Sequence, residues 1–152
     1  MIDIEEIRKN PDKVNWKDIS FNQELSEDFI REFQNKLNWY EISYYQKLSE
    51  EFIREFQDKV NLVYLSFRQK LSEEFIREFQ DKVSWGNIST CQILSENFII
   101  EFQDKVNWKS ISLNQNLSKE FIIEFYNKIY FEELLINKNI SEEIKNFCRI
   151  FL

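Results

Sequence analysis

A stretch of thirteen residues that recurs without change constrains the fold of this chain most strongly. Leu48–Val60 reads Leu-Ser-Glu-Glu-Phe-Ile-Arg-Glu-Phe-Gln-Asp-Lys-Val, and the same residues return as Leu71–Val83, 23 positions later. Looser copies occupy 25–37, 94–106 and 117–129, and a degenerate copy occupies 140–152. A fixed period of this length indicates a stacked array, because one such unit can bury its apolar face only against its neighbours.

The period divides the chain into six repeats preceded by a short N-terminal segment. The repeats are 15–37, 38–60, 61–83, 84–106, 107–129 and 130–152. Residues 1–14 end in Asp12-Lys13-Val14, which matches the end of the later repeats, so they are predicted to form an N-terminal capping half-repeat. The degenerate last repeat is predicted to be the C-terminal cap of a single repeat domain.

Each repeat contains two segments with helical spacing. The first has the form Asn-Trp-x-x-Ile-Ser-x-x-Gln, in which Asn suits an N-cap and Trp and Ile, three apart, share a helix face. In the second, Ser is an N-cap, the acidic pair suits the positive end of the helix dipole, and Phe, Ile, Phe and Val form an apolar face. The pattern predicts a short helix followed by a longer helix in every repeat.

The predicted fold class is therefore all-α, an α-solenoid of six two-helix units with an N-terminal capping half-repeat. The alternative is a leucine-rich-repeat-like solenoid of strands and helices, because Trp16-x-x-Ile19-x-Phe21 can be read as Leu-x-x-Leu-x-Leu. The third position of that motif varies widely between repeats. The helix–helix interpretation is therefore preferred.

Composition limits the function classes. The net charge of −7 argues against binding to nucleic acid or to an anionic membrane, and leaves open a basic partner or an acidic mimic of nucleic acid. No apolar run reaches the roughly 20 residues needed to span a bilayer, and the acidic N-terminus does not resemble a signal peptide. The chain has no His, and Cys91 and Cys148 lie far apart, so no metal site and no cofactor are expected. The expected location is the cytoplasm.

The polar residues that recur in every repeat favour structural roles, and the chain is predicted not to be an enzyme. Its recurring serines have no His to act as a base, and Gly86 alone cannot form a phosphate-binding loop. The Gln column is predicted to form a buried ladder that bonds the backbone between repeats. The recurring Glu residues are predicted to be neutralised by the Lys four positions later, as in Glu55 and Lys59.

The repeat motif Trp-x-x-Ile-Ser-x-x-Gln-x-Leu-Ser-Glu-x-Phe-Ile-x-Glu-Phe-x-Asp-Lys-Val resembles the tandem repeats of proteins encoded by giant DNA viruses of amoebae. The resemblance covers 15–129 well and 130–152 poorly. It implies a repeat scaffold of uncharacterised function, and transfers no catalytic residue. It also implies a viral protein that acts in the host cytoplasm, where a partner would be a host protein.

Functional residues are predicted at the positions where the repeats differ from one another. Repeats two and three concentrate residue types favoured at protein interfaces. The predicted partner-binding residues are Tyr40, Tyr44, Tyr45, Tyr64, Phe67 and Arg68. A second set consists of two isoleucines that replace Arg on the second helices and of apolar residues at the C-terminus, and it predicts self-association into a homo-oligomer. These residues are Ile100, Ile123, Phe151 and Leu152.

Overall fold

The structure is a computed structural model that describes residues 4–22 and 24–151, and within these residues it is helical, without a strand. The α-helices of the described residues are α1 (Ile4–Lys9), α2 (Trp16–Asn22), α3 (Glu27–Glu32), α4 (Trp39–Tyr45), α5 (Glu50–Glu55), α6 (Leu62–Arg68), α7 (Glu73–Glu78), α8 (Trp85–Cys91), α9 (Glu96–Glu101), α10 (Trp108–Asn114), α11 (Lys119–Glu124), α12 (Phe131–Ile136) and α13 (Glu142–Cys148). Short 3₁₀ turns span Pro11–Lys13 and Arg149–Phe151. The all-α repeat prediction is confirmed, and the strand–helix alternative is wrong for these residues.

Backbone contacts divide the chain into two compact parts, Met1–Gln69 and Lys70–Leu152. In the first part the first helices of successive repeats pack side by side, α2 against α4 and α4 against α6. In the second part α8 packs against α10, and α10 against α12. Each part is therefore a stack in which a repeat contacts the next one, the packing of an α-solenoid.

The relative lengths of the two helices differ from the prediction. The first helix of repeat two, α4, has seven residues, whereas its second helix, α5, has six. The repeated segment leaves the helix at Phe56, whose backbone has φ −113° and ψ 28°. A separate turn follows, in which the N–H groups of Lys59 and Val60 both donate to the Phe56 carbonyl, at 2.9 and 3.0 Å. Val60 still reaches the core, so its place in the apolar pattern did not require a longer helix.

The predicted N-caps are present. The Ser49 hydroxyl accepts a hydrogen bond from the Phe52 N–H at 3.1 Å, and each described second helix that follows a Ser is capped in the same way. At the first helix of repeat two, the Asn38 side chain accepts from the N–H groups of Tyr40 and Glu41. These caps satisfy donors that a helix terminus leaves open, which matters because six- and seven-residue helices have few internal hydrogen bonds.

The apolar core of each repeat joins its two helices. Phe52 and Ile53 of α5 are fully buried, and the Trp39 ring of α4 lies 5.0 Å from that of Phe56. The Trp39 indole N–H donates to the Gln34 carbonyl at 2.8 Å, so the polar edge of this half-buried ring is satisfied. Trp16, Trp85 and Trp108 pack in the same way on Phe33, Phe102 and Phe125. In the four repeats that have this Trp, its ring thus packs on a Phe that directly follows the second helix.

Buried hydrogen bonds connect one repeat to the next. The Ser43 hydroxyl donates to the Trp39 carbonyl at 2.7 Å and accepts from the Asn61 N–H of the following repeat at 2.8 Å. The Gln46 side chain accepts from the Leu25 N–H and donates to the Ser20 carbonyl of the preceding repeat, both at 2.9 Å. Gln69, Gln92 and Gln115 accept from Leu48, Leu71 and Leu94 in the same way. The predicted Gln ladder is confirmed for these residues, while Gln23 lies outside the described ones.

The two ends of the chain vary this scheme. α1 begins and ends 23 residues before α3, and the Trp16 indole N–H donates to the Pro11 carbonyl at 2.9 Å, as later Trp residues do to the equivalent carbonyl. In the last repeat α12 ends one residue early, and Asn137 takes the place of Gln. Its amide donates to the carbonyls of Ser112 and Gln115, at 2.9 and 2.8 Å. The shorter Asn side chain reaches these carbonyls because it lies one position earlier in its repeat than Gln does in the others.

The Gln ladder yields a stability prediction. Replacement of Gln115 by Ala removes the acceptor of the buried Leu94 N–H and the donor to the Ser89 and Gln92 carbonyls. We expect Gln115→Ala to lower the free energy of unfolding by about 2–4 kcal/mol, because buried polar groups left without partners are costly. Urea denaturation followed by circular dichroism measures this change.

The neighbouring Asn116 is exposed and provides the matched control. We expect Asn116→Ala to change the free energy of unfolding by less than about 0.5 kcal/mol. Equal effects of the two substitutions would show that the Gln115 hydrogen bonds do not stabilise the packing of the repeats.

Candidate functional site

The six predicted partner-binding residues come together on α4 and α6, within the first part of the chain. The ring centroids of Tyr44 and Tyr45 are 4.7 Å apart, those of Tyr44 and Tyr64 5.6 Å, and those of Tyr40 and Tyr64 4.9 Å. These edge-to-face geometries are favourable for aromatic pairs. Phe21 of α2 extends the group, 5.5 Å from Tyr45. We call the whole set the aromatic cluster: Phe21, Tyr40, Tyr44, Tyr45, Tyr64, Phe67 and Arg68.

The cluster forms because side chains in adjacent repeats meet at an offset that differs slightly from the 23-residue period. Tyr40 and Tyr64 occupy the same two positions of neighbouring repeats as Lys109 and Glu133, whose side chains form an ion pair at 2.9 Å in the second part of the chain. An offset of 24 residues also joins Phe21 to Tyr45. Had residues 24 positions apart been compared, instead of residues 23 apart, Phe21 would have been paired with Tyr45 and included in the predicted site.

Arg68 is held against the rings. Its guanidinium carbon lies 4.5 Å from the centroid of the Tyr44 ring and 5.8 Å from that of Phe67. The Nε–H donates to the Tyr44 carbonyl at 3.3 Å. The aromatic faces and the carbonyl together fix the plane of the guanidinium, which is a cation–π arrangement with the charged group at the surface.

About half of the surface of several cluster rings faces solvent. Tyr40 is 54% exposed, Tyr45 50% and Phe67 49%, whereas Tyr44 and Tyr64 are half-buried beneath them. Packing against adjacent repeats therefore accounts for part of each ring and leaves a contiguous apolar surface. Exposed apolar patches of this kind commonly mark interaction sites.

The hydroxyl groups of Tyr40 and Tyr64 interact across the repeat boundary. Their side-chain hydrogen bond, followed by the charge of a Tyr64 phenolate, raises the pKa of Tyr40 above its ordinary value. A raised pKa means that the folded chain favours the protonated Tyr40 phenol, so this interaction adds to the stability of the folded chain below the ordinary pKa and is lost as pH rises through the raised value. The ionisation of Tyr40 therefore depends on Tyr64 of the next repeat.

The second helices present a different surface, lined by ion pairs between repeats. Arg8 pairs with Glu32, Arg31 with Glu55 and Arg77 with Glu101, each at 2.8 Å. The predicted neutralisation by the Lys four positions later is wrong here, because that Lys reaches to the preceding repeat: Lys59 donates to the Gln34 side chain at 2.7 Å. The Arg8 guanidinium lowers the pKa of Glu32 through their hydrogen bond. Such exposed pairs contribute little stability individually.

The predicted self-association residues occupy the second part of the chain. Ile123 is 51% exposed and Ile100 36%, in the column that holds Arg in the first three repeats, so neither is buried by rotation of its helix. Phe151 stacks on Phe131 of its own repeat, with 5.1 Å between the ring centroids, and remains partly exposed. Leu152 lies outside the described residues.

Chemically reactive groups are sparse in the described part of the chain. The Ser20, Ser43, Ser66, Ser89 and Ser112 hydroxyls are fully buried and donate to backbone carbonyls. No group of three or more His, Cys, Asp or Glu side chains among the described residues could hold a metal ion. Cys91 and Cys148 are free thiols, and burial raises the pKa of Cys148. No described helix is long and apolar enough to cross a membrane.

Comparisons with known proteins add no relative. No family model, no curated protein and no solved structure matches the chain.

The coupling of Tyr40 to Tyr64 gives a testable prediction. In Tyr64→Phe the hydrogen bond to Tyr40 is lost, and we expect the pKa of Tyr40 to fall back towards the ordinary tyrosine value of about 10. Nuclear magnetic resonance of ring-labelled tyrosine across an alkaline titration measures this midpoint, with the Tyr40 signal assigned from Tyr40→Phe. Tyr126→Phe, in the second part of the chain, serves as the control and should leave the midpoint of Tyr40 unchanged. A Tyr40 midpoint indifferent to Tyr64→Phe would mean that the two phenols are not bonded in solution.

Proposed function

We propose that the chain is a non-enzymatic repeat scaffold that binds a protein partner through the aromatic cluster. The main observation that supports this proposal is that three successive first helices contribute rings to one continuous, half-exposed surface. Its place of action is the cytoplasm, and the repeat resemblance suggests that this is the cytoplasm of a viral host.

The composition of the cluster supports a protein partner. Tyr and Arg supply large contact areas while losing few rotamers on binding when they are already packed, and they are frequent among residues that dominate binding energy. Here Tyr44 contacts Tyr45, Tyr64 and Arg68, so the surface is pre-organised before any partner arrives. Repeat four has Gly86 and Thr90 where repeat two has Tyr40 and Tyr44. The rings are therefore a local addition to a uniform scaffold.

A triple substitution tests this proposal. We expect Tyr40→Ala, Tyr44→Ala and Tyr64→Ala together to abolish capture of the partner from a lysate of amoebal cells, while helicity by circular dichroism stays unchanged. A captured protein must then be purified and bind the unmodified chain directly, with an affinity at least about 100-fold higher than for the triple variant, as loss of several central aromatic residues implies.

The matched control alters the equivalent positions elsewhere in the array. Lys109→Ala, Leu113→Ala and Glu133→Ala change the same three helix positions in repeats five and six, and should leave capture and affinity unchanged. Retention of the partner by the tyrosine variant, or its loss in the control variant alone, would refute a binding role for the aromatic cluster.

Exposed isoleucines support a second candidate function, self-association through the second part of the chain. Arg77 pairs with Glu101 at 2.8 Å, whereas the next repeat has Ile100 opposite Glu124, so an apolar side chain replaces the charged partner. Ile123 repeats this substitution one unit further on. Two exposed isoleucines on adjacent second helices form an apolar patch that a second copy could cover.

Restoration of the repeat consensus tests self-association. Under this candidate function the unmodified chain forms dimers or larger species at high concentration, and Ile100→Arg with Ile123→Arg returns it to a monomer, because two charges then face the interface. Multi-angle light scattering measures the mass. A chain that is strictly monomeric before substitution would exclude self-association and leave the aromatic cluster as the sole candidate site.

A further inference from the structure

Arg68 differs from every other arginine of the described residues in having no carboxylate partner. The arginines that do pair with Asp or Glu are Arg8, Arg31, Arg54, Arg77 and Arg149. The helix that carries Arg68, α6, contains no acidic residue at all. The repeat scaffold therefore compensates its other guanidinium groups internally, and presents this one uncompensated in the middle of the aromatic cluster.

The geometry of Arg68 leaves one end of the guanidinium available. Its Nε–H is used by the Tyr44 carbonyl at 3.3 Å, and its flat face lies 4.5 Å from the Tyr44 ring centroid. No acceptor among the described residues bonds Nη1 or Nη2. These two nitrogens form a fork that matches the two oxygens of a carboxylate, and a guanidinium already held in place loses little entropy when it binds one.

We propose that the aromatic cluster recognises a protein segment that carries an Asp or Glu between apolar side chains. The partner's carboxylate accepts two hydrogen bonds from Nη1 and Nη2 of Arg68, and the adjacent apolar side chains pack on Tyr44 and Phe67. This inference rests on the proposed function and specifies the chemistry of its partner. The aromatic surface supplies contact area, and Arg68 supplies the register and the preference for an acidic residue.

The net charge of the chain does not oppose this choice, because its acidic residues are concentrated elsewhere. The second helices hold most of them, as in α5 with Glu50, Glu51 and Glu55. Of the three first helices beneath the cluster, α2 and α4 carry one acid each, Asp18 and Glu41, and α6 carries none. The helix that carries Arg68 therefore adds no carboxylate that would repel an acidic side chain of the partner.

Peptide selection on the intact chain tests the inference. A displayed library of random peptides is selected on the unmodified protein, and the enriched peptide is synthesised with Glu, Gln or Lys at its acidic position. We expect an enriched motif with Asp or Glu beside aromatic or aliphatic residues. Fluorescence anisotropy should show an affinity loss of about tenfold or more for Arg68→Gln and for the Gln peptide, as expected when a charged hydrogen-bond pair is removed. Arg68→Lys should recover only part of it, because ammonium cannot form the fork.

The control is Arg31→Gln, since Arg31 is bonded to Glu55 and lies on a second helix. It should leave peptide affinity unchanged. An enriched motif without an acidic residue, tighter binding of the Lys peptide, or equal affinity of Arg68→Gln and the unmodified chain would each overturn the inference. If a peptide without this acidic preference binds the unmodified chain but not the Tyr40, Tyr44 and Tyr64 triple variant, the proposed function stands and only the acidic preference is refuted. No enrichment at all, or enrichment unaffected by the triple variant, would overturn both.

Discussion

A buried amide holds each repeat to the one before it. The Gln46 side chain accepts from the Leu25 N–H and donates to the Ser20 carbonyl, so it satisfies backbone groups at the end of α2 and in the connection that follows. Helices of six or seven residues cannot satisfy these groups themselves, since most of their backbone polar atoms belong to a terminus. The Gln and Ser side chains make short helices compatible with a buried core, and the apolar packing of Trp on Phe depends on that.

The residues that recur in every repeat stabilise the scaffold but give it no specificity for a partner. Hydrogen bonds by Ser43 and Gln46, and the stacking of Trp39 on Phe56, have close counterparts in other described repeats. Interactions that serve every repeat alike cannot distinguish a partner from any other molecule. Residues that depart from the consensus can do so, which is why both candidate surfaces consist of departures. One adds rings to α4 and α6, and the other replaces Arg by Ile on α9 and α11.

Charge is divided between the two helix faces in a way that bears on function. The second helices carry most carboxylates, and their arginines pair with them across repeats, as Arg31 does with Glu55. The first helices beneath the aromatic cluster carry few acids and one uncompensated Arg68. Ion pairs on the face of the second helices add little to stability individually, but they give each of its arginines a carboxylate partner. The aromatic cluster retains its hydrogen-bonding capacity, and this makes it the stronger candidate for specific recognition.

The sequence by itself determined the helical class, the helix starts, and the structural role of the repeated residues. Ser N-caps, the spacing of Trp and Ile and the recurrence of Gln act locally or identically in every repeat, so one sequence is enough to detect them. The tertiary structure decided where the second helix ends and which residues meet between repeats. The second helix ends just before Phe56 because the following turn packs Val60 into the core, and this turn cannot be predicted from helical periodicity. Neighbouring repeats bring side chains together at an offset of 24 residues, as in Arg31 and Glu55 or Tyr40 and Tyr64. That offset follows from how two helices pack in space, and for this reason spacing within one repeat predicted the wrong partners for the second-helix Glu residues.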